Sequence, residues 1–366
     1  MIKKDLSLYI SNLGKMIEGN YIYVDKTRSI YNLFQGISHY YFLSRPRRFG
    51  KSLLVSTLKE LFLGNKKLFE KLWIGSSDYD WQEHPVIDLD FSRIAHGTID
   101  ELKASLTWTL AQIAENYSVD ISQAPTLSDK LVDLIQKLSR INKVVVLVDE
   151  YDKPILDHIE NVEDAEAQQV LLKSFYDPLK SMDAYLRAIF VTGVTKFSKT
   201  SLFSGMNNLN DISLKPEAAE LLGYSQQEIE KYFSLYLHDF AQSNQSTFEI
   251  FMADLKKWYN GYRFSSEKRY VYNPFSVLYF LQDKKFLNYW YQSGTPTFFI
   301  HLIKNQYNTI EAINQVEMDQ DSLGNFELDN IPLVPLLFQA GYLTIADYDV
   351  KSKKFKLDFP NFEVEL

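Results

Sequence analysis

Three consecutive residues, Gly50, Lys51 and Ser52, have the types and the order that bind a phosphate group. They follow a candidate strand at residues 39–43 and precede a helical pattern. Backbone N–H groups at the start of that helix can therefore surround phosphate oxygens. Gly50 allows close backbone approach, the Lys51 ammonium reaches the β- and γ-phosphates, and the Ser52 hydroxyl can coordinate Mg²⁺. The spacing predicts a phosphate-binding loop that also contributes to a Mg²⁺ site.

The residues before Gly50 depart from the general pattern of such loops, which have a glycine five residues before the Gly-Lys pair. Here that position is Arg45, and Pro46 and two further arginines follow it. We expect a stiffer loop in which an arginine can itself contact phosphate. The alternative is a chance Gly-Lys-Ser match in a solvated basic loop. The nucleotide-binding candidates are Arg47, Arg48, Phe49, Gly50, Lys51 and Ser52.

An acidic pair, Asp149 and Glu150, follows the apolar run at residues 144–148. A buried strand that ends in this pair places Asp149 at the carboxyl edge of a sheet, where it can hold Mg²⁺ directly or through water. Glu150 can orient and deprotonate an attacking water, and Lys51 joins it as a catalytic candidate. The alternative is an acidic pair that caps a helix.

A third polar group follows the strand predicted at residues 186–192. Thr192 occupies the position at which many ATPases keep a polar sensor of the γ-phosphate. Lys196 can supply positive charge to a transition state, so both residues are catalytic candidates. The alternative is a glycine turn with an exposed lysine.

These candidates require short strands that end at one edge of a sheet. The first two hundred or so residues alternate β-rich runs with helical patterns, which indicates an α/β fold. Residues 143–148 show no polar alternation, as expected for the centre of a parallel sheet. Further strands are predicted at 39–43, 85–90 and 186–192, with amphipathic helices around 54–62, 102–113 and 131–138. The predicted fold is therefore a P-loop NTPase parallel sheet flanked by helices.

The character of the sequence changes after about Ser213, where mostly helical segments with many aromatic residues begin. We predict a P-loop ATPase-like domain at residues 1–215 and a mostly helical C-terminal region at residues 216–366. Aromatic turns at 258–262 and 272–275 are interpreted as structural.

Composition limits the possible functions. Among 366 residues, 39 basic and 47 acidic side chains give a net charge of −8, so any polyanion site must be local. The chain has no cysteine, which excludes a disulfide scaffold, a thiolate zinc site and a cysteine nucleophile. Residues 1–19 lack a signal-peptide pattern, and the longest apolar run, residues 331–346, is too short and interrupted to span a bilayer. We expect a cytoplasmic protein with no membrane partner.

The sequence resembles the bacterial AAA-ATPase-like family, a branch of the P-loop ATPases, over nearly its whole length. The residues that carry the resemblance are YVDKT (23–27), FLSRPRRFGKS (42–52), LVDEYDKP (147–154), TGVTKFS (192–198), FSGMNNL (203–209), WYNGY (258–262), YNPFS (272–276), the tripeptide at 294–296 and LFQAGYL (337–343). The arginine at the first loop position matches the family's own pattern. The resemblance implies ATP and Mg²⁺ as cofactors, with Lys51 and Ser52 on the phosphates and metal, Asp149 as metal ligand and Glu150 as base.

Members of this family often continue into a domain that resembles the restriction-endonuclease-like nucleases. The present sequence stops at residues 359–366, about where that domain would begin. We therefore expect no nuclease activity from this chain.

Three functions stay open at this point. The first is a Mg-dependent ATPase that acts as a nucleotide-driven switch. The second is a non-hydrolysing nucleotide-binding module that controls a partner or a nuclease-like effector domain. The third, and weakest, is nucleic-acid binding through Arg45, Arg47 and Arg48, which the negative net charge would restrict to a local site. A homo-oligomer and a protein partner are both open.

Overall fold

The structure is a computed structural model. It describes residues 4–36, 39–196, 202–203, 206, 208–243, 247–292, 316–324 and 332–366. Two of the sequence blocks that carry the family resemblance, 192–198 and 203–209, lie partly outside the described residues, and the tripeptide at 294–296 lies wholly outside them.

A five-stranded parallel sheet forms the centre of the molecule. Its strands are β1 (Tyr40–Ser44), β2 (Val86–Asp90), β3 (Val144–Asp149), β4 (Leu186–Gly193) and β5 (Asn210–Asp211). The spatial order is β2-β3-β4-β1-β5. Leu43 pairs with Thr192 and Val148 pairs with Val191, so the carboxyl ends of β1, β4 and β3 meet at one edge. The predicted α/β class is confirmed.

Complete burial of the central strands explains their composition. Every residue of β1 and β3 is buried, because helices cover both faces of the sheet. The helices up to residue 176 are α1 (Leu13–Glu18), α2 (Thr27–Phe34), α3 (Lys51–Phe62), α4 (Lys66–Phe69), α5 (Ile99–Asn116), α6 (Leu127–Leu138), α7 (Lys153–Leu156) and α8 (Val162–Tyr176). The predicted apolar face of α3 is buried at Leu54, Leu58 and Leu61.

Side chains at two helix starts show why the helices begin where they do. The Thr98 hydroxyl accepts a hydrogen bond from the Glu101 amide at the start of α5. Thr126 and Asp129 form a reciprocal capping box at the start of α6. Short 3₁₀ helices occupy Trp73–Ser76, Asp177–Ser181 and Pro216–Ala218.

The C-terminal region is mostly helical, and it also contains a small sheet that the sequence analysis did not predict. Its helices are α9 (Gln226–Tyr232), α10 (Ser234–Ser243), α11 (Phe248–Tyr259), α12 (Pro274–Asp283), α13 (Tyr289–Gln292), α14 (Leu333–Ala340) and α15 (Phe362–Glu365). The strands β6 (Glu317–Met318), β7 (Thr344–Asp349) and β8 (Lys354–Asp358) form an antiparallel sheet in the order β6-β8-β7. Among the described residues, no helix combines the length and apolar character that a bilayer crossing requires.

Apolar packing crosses the predicted boundary at residues 215/216 in both directions. Leu336 and Ile345 belong to the core that surrounds the parallel sheet. Conversely, Ile22 and Val24 pack with Leu237 and other residues of α9–α13 in a second core. The division into residues 1–215 and 216–366 stays a prediction, and the two parts share their hydrophobic interior.

Candidate functional site

A loop of basic residues, 45–50, joins β1 to α3; we call it the basic loop. Gly50 is the N-cap residue of α3 and has a φ of 94°, in the left-handed region that glycine adopts without strain. Among the described residues, no side chain caps this helix end. The first N–H groups of the twelve-residue α3 are therefore free to bind an anion.

The Lys51 side chain folds back onto the basic loop and bonds its backbone. Its side chain is 7% exposed, and Nζ donates hydrogen bonds to the Arg45 carbonyl at 3.0 Å and the Pro46 carbonyl at 2.9 Å. Burial lowers the pKa of Lys51, and the negative charges of Asp149 and Glu150 oppose that shift. An ammonium in this position faces the space that the loop encloses.

Ser52 and Asp149 meet beneath the basic loop. The Ser52 hydroxyl donates a hydrogen bond to the Asp149 carboxylate, which is 3% exposed. Burial raises the pKa of Asp149 to about 6, while the Ser52 bond and the Lys51 charge oppose the rise. Asp90, paired with Asp149 in the β2–β3 register, adds to the increase in pKa. A cation at this point would relieve the electrostatic cost of both carboxylates.

Glu150 begins the turn after β3. It is half-buried and has a φ of 52°, which is uncommon for a residue other than glycine, asparagine or aspartate. Its backbone N–H donates to Asp149 Oδ1 at 3.0 Å. The turn brings Glu150 to the same cavity as Lys51 and Ser52.

The cavity has a volume of about 480 Å³, within the usual range for small-molecule sites. Its walls are the basic loop with the start of α3, the turn at residues 150–157, the N-terminal segment between Ser7 and Met16, and the start of α12. A second pocket of about 60 Å³ adjoins it across Gly50 and Leu53 and is lined mostly by apolar and aromatic side chains, among them Tyr23 and Tyr224.

The other loop candidates occupy three different environments. Arg47 is half-buried and lines the cavity. Arg48 is exposed at the cavity rim, with its guanidinium 5.1 Å from the Phe275 ring centroid. Phe49 is 1% exposed and packs edge-on against Tyr262 at 4.8 Å. The Phe49 side chain is thus a core residue, and only its backbone can contact a ligand.

Arg45 anchors the basic loop to the body of the protein and is 2% exposed. Its guanidinium donates hydrogen bonds to the carbonyls of Ser44 at 2.9 Å, Ser213 at 2.6 Å and Ala218 at 2.9 Å. It also lies 4.2 Å from the Phe264 ring centroid. Burial lowers the pKa of Arg45 to about 9. The expectation that Arg45 could contact nucleic acid is wrong, because its side chain is buried in these bonds.

Thr192 and Lys196 are not brought to the cavity. Thr192 is fully buried, and its hydroxyl donates to the Leu43 carbonyl of the neighbouring strand at 2.8 Å. Lys196 is 7% exposed, and Nζ lies 3.3 Å from Asp211 Oδ2 beside β5. Neither side chain is among the described residues that line the cavity, and the catalytic roles expected of them stay predictions. The burial of Lys196 contradicts the alternative of an exposed lysine.

Comparison with known proteins identifies the family of the chain. A family model described as "Predicted AAA-ATPase" matches residues 8–203, which is more than half of the chain and includes the basic loop and the acidic pair. The chain belongs to the predicted AAA-ATPase family. An uncharacterized protein in the vnfD 5′ region of Azotobacter chroococcum mcd 1 is 37% identical over 371 residues, which span 100% of this chain and 69% of that protein. No solved structure matches the chain significantly.

Membership of the predicted AAA-ATPase family indicates nucleotide binding, typically with Mg²⁺. The donor set beneath the basic loop fits such an ion. Mg²⁺ prefers oxygen ligands and usually takes one or two carboxylates together with phosphate oxygens and waters. Ser52 Oγ and the Asp149 carboxylate are already in contact with each other, and each is a hard oxygen donor. These two residues would hold the ion.

Parts of the site escaped the sequence analysis. The N-terminal segment and the start of α12 are far from the basic loop along the chain, and no local pattern marks them as cavity walls. Asp152 lines the cavity too, with a side chain that is 1% exposed. It lies two residues after Glu150, between Tyr151 and Lys153, but no spacing in the sequence singled it out from the acidic pair before it.

Proposed function

We propose that this chain binds Mg·ATP at the basic loop and hydrolyses it. The observation that carries the proposal is the meeting of Lys51, Ser52 and Asp149 at the uncapped start of α3. A lysine inside the loop, a hydroxyl hydrogen-bonded to a buried carboxylate and free N–H groups together suit a chain of phosphates. The neighbouring 480 Å³ cavity provides room for the rest of the triphosphate.

Each residue of this site has a distinct part in the proposed reaction. The Lys51 ammonium exchanges its bonds to loop carbonyls for bonds to phosphate oxygens, and the α3 amides orient the β-phosphate. Arg47 adds positive charge from the cavity wall. The Glu150 carboxylate accepts the proton of the attacking water. Ser52 and Asp149 would hold Mg²⁺, which would neutralise phosphate charge.

The nucleotide base would bind in the small pocket beyond Gly50. Tyr23 and Tyr224 are among its mainly apolar walls, which suits a flat aromatic base. Lys26 also lines the pocket, but its ammonium already bonds Glu228 Oε2 at 2.6 Å and the Glu220 carbonyl at 2.8 Å. Base binding would therefore rest chiefly on apolar contact and stacking.

We also propose that hydrolysis acts as a switch on the C-terminal region. The support is direct packing of the basic loop on that region: Phe49 contacts Tyr262, and Arg45 lies over Phe264. A shift of the loop on loss of the γ-phosphate would change these contacts. Slower hydrogen exchange at residues 258–264 with an ATP analogue than with ADP would support the switch, and identical exchange would oppose it.

The non-hydrolysing module is the second candidate. It is favoured by the positions of Thr192 and Lys196, whose side chains point to partners outside the cavity. Among the cavity residues that the structure describes, Lys153 is the one cation from outside the basic loop and α3. It is already paired with Asp157 at 2.8 Å. ATP binding without turnover would select this candidate.

Lys51→Ala is expected to weaken Mg·ATP binding by about 10- to 100-fold, because charge-assisted bonds to phosphate contribute about 1.5–3 kcal/mol. Isothermal titration calorimetry of Mg·ATP measures the effect. The matched control is Lys59→Ala, which removes a lysine from the same helix where it pairs with Asp88. The control should bind within about twofold of the unmodified protein. Equal affinities for Lys51→Ala and Lys59→Ala would contradict the proposed site, as would failure of the unmodified protein to bind.

A further inference from the structure

The turn that carries Glu150 is tied to the segment that follows β4. Because β3 and β4 are neighbours in the sheet, the two segments leave the same edge side by side. The Tyr151 N–H donates to the Thr192 carbonyl at 3.2 Å, and the Tyr151 hydroxyl donates to the Thr195 carbonyl at 2.9 Å. These two bonds fix the backbone immediately after Glu150.

Asp152 makes most of the hydrogen bonds that the structure describes between the turn after β3 and the segment after β4. Its carboxylate accepts hydrogen bonds from the Val194 N–H at 3.1 Å, the Thr195 N–H at 2.7 Å and the Thr195 hydroxyl at 2.7 Å. The side chain is 1% exposed. A carboxylate that accepts several bonds in a buried place holds its donors rigidly, because each lost bond would leave a buried polar group without a partner.

Gly193 shows how closely the two segments approach. A Cβ atom at this position would lie 2.4 Å from Asp152 Oδ1 and 2.5 Å from the Tyr151 ring. Only a residue without a side chain fits, so the backbone after β4 can lie directly against the turn. The fold therefore brings the backbone at Gly193 into close contact with Tyr151 and Asp152, beside the cavity.

Asp152 lies at the proposed ATPase site, but it is not the proposed base. It lines the same cavity as Glu150 and Lys51. Its carboxylate, however, already accepts three protein hydrogen bonds, whereas Glu150 is half-buried and lines the cavity. The arrangement suits a residue that orients its neighbour.

We propose that Asp152 is a positioning residue for the ATPase reaction: by bonding Val194 and Thr195, it holds the turn that aims Glu150 into the cavity. This inference rests on the proposed function. Loss of the Asp152 bonds would let the turn move, so that Glu150 reaches the attacking water less often. Phosphate binding by Lys51 and the α3 amides would change less, because those groups lie on another element and Asp152 is one of three carboxylates whose charge acts on Lys51, beside Asp149 and Glu150.

The test compares nucleotide affinity with turnover in the full chain. Asp152→Asn keeps the side-chain shape but removes the negative charge that strengthens the bonds from Val194 and Thr195, and it leaves one acceptor oxygen where the carboxylate has two. We expect kcat to fall about 10- to 100-fold and the Kd for Mg·ATP to stay within about threefold. Thr195→Val removes only the hydroxyl donor and is expected to lower kcat several-fold. Thr195→Ser restores that donor and should return kcat to within about twofold of the unmodified protein.

The outcomes separate this inference from the function on which it rests. A kcat for Asp152→Asn equal to that of the unmodified protein would overturn the positioning role alone. If Asp152→Asn does not fold, the two Thr195 variants provide the test. Equal kcat for Thr195→Val and Thr195→Ser would also overturn the positioning role of Asp152. A parallel loss of kcat and affinity would also overturn the positioning role, because it would mean that Asp152 supports the structure of the whole site. Absence of turnover in the unmodified protein would overturn the proposed hydrolysis, and this inference with it.

Discussion

Glu150→Gln is expected to lower Mg-dependent ATP turnover by at least about 100-fold while the Kd for Mg·ATP stays within about threefold. Glutamine has the same shape as glutamate and can still hydrogen-bond a water, but it cannot accept the proton. General-base residues contribute about 10²- to 10⁴-fold to such reactions. Binding should persist, because Lys51, Ser52 and the α3 amides are untouched. Steady-state phosphate release and calorimetric titration together measure the two quantities.

A matched control for this substitution is Glu166→Gln, on the exposed face of α8. It makes the same chemical change outside the cavity, so turnover should remain within about twofold of that of the unmodified protein. Full turnover by Glu150→Gln would remove Glu150 from the mechanism. Loss of binding in parallel with turnover would mean that Glu150 holds the nucleotide or its metal rather than the water.

Arg45→Met is expected to lower the free energy of unfolding by about 3–5 kcal/mol. Methionine has a long side chain but no donor, so the carbonyls of Ser44, Ser213 and Ala218 would lose buried hydrogen-bond partners. Each unsatisfied buried group costs about 1–3 kcal/mol, and the contact with Phe264 contributes about 1 kcal/mol more. Arg45→Gly, which restores the glycine of the general loop pattern, should destabilise at least as much, because it removes the same bonds and the side-chain volume.

Urea unfolding followed by circular dichroism measures this effect, and Arg48→Met is its control. Arg48 is exposed and its guanidinium lies over the Phe275 ring, so its loss should cost less than about 1 kcal/mol. A loss below about 1 kcal/mol for Arg45→Met would show that its buried bonds contribute little. Equal losses for both variants would contradict the distinct roles assigned to the two arginines.

Local patterns in the sequence were enough to predict four of the five strands of the parallel sheet and the candidate phosphate-binding residues, whereas the two-residue strand β5 was too short to leave a pattern. The strand at residues 144–148 is recognisable because both of its faces are buried, and buried strands are continuously apolar. The order strand, Gly-Lys-Ser and helix is also local, so Lys51 and Ser52 were predicted together. Their meeting with Asp149 follows from parallel strands that end at one edge.

The partners of Thr192 and Lys196 could not be predicted in the same way, because a position along the chain does not fix which group a side chain will contact. Thr192 is at the expected edge of the sheet, yet its hydroxyl bonds the Leu43 carbonyl. Lys196 lies beyond the strand and pairs with Asp211. Neither partner is adjacent to these residues in sequence.

Arg45 illustrates a different difficulty, since arginine is almost never fully buried and its type suggested a surface role. Its partners at Ser213 and Ala218 are more than 160 residues away. The small sheet of the C-terminal region was missed for a related reason. The alternating burial of β8 is a signal only five residues long, and its pairing with β6 depends on distant contacts.

A crystal structure of the chain with Mg²⁺ and a non-hydrolysable ATP analogue tests nucleotide binding at the basic loop most directly. We expect phosphates against Gly50, Lys51 and Ser52, a Mg²⁺ ion that contacts Ser52, and a base in the pocket beside Tyr23. Glu150 should face the γ-phosphate from across the cavity. An analogue bound elsewhere, or phosphates that avoid Lys51 and the start of α3, would contradict this binding site.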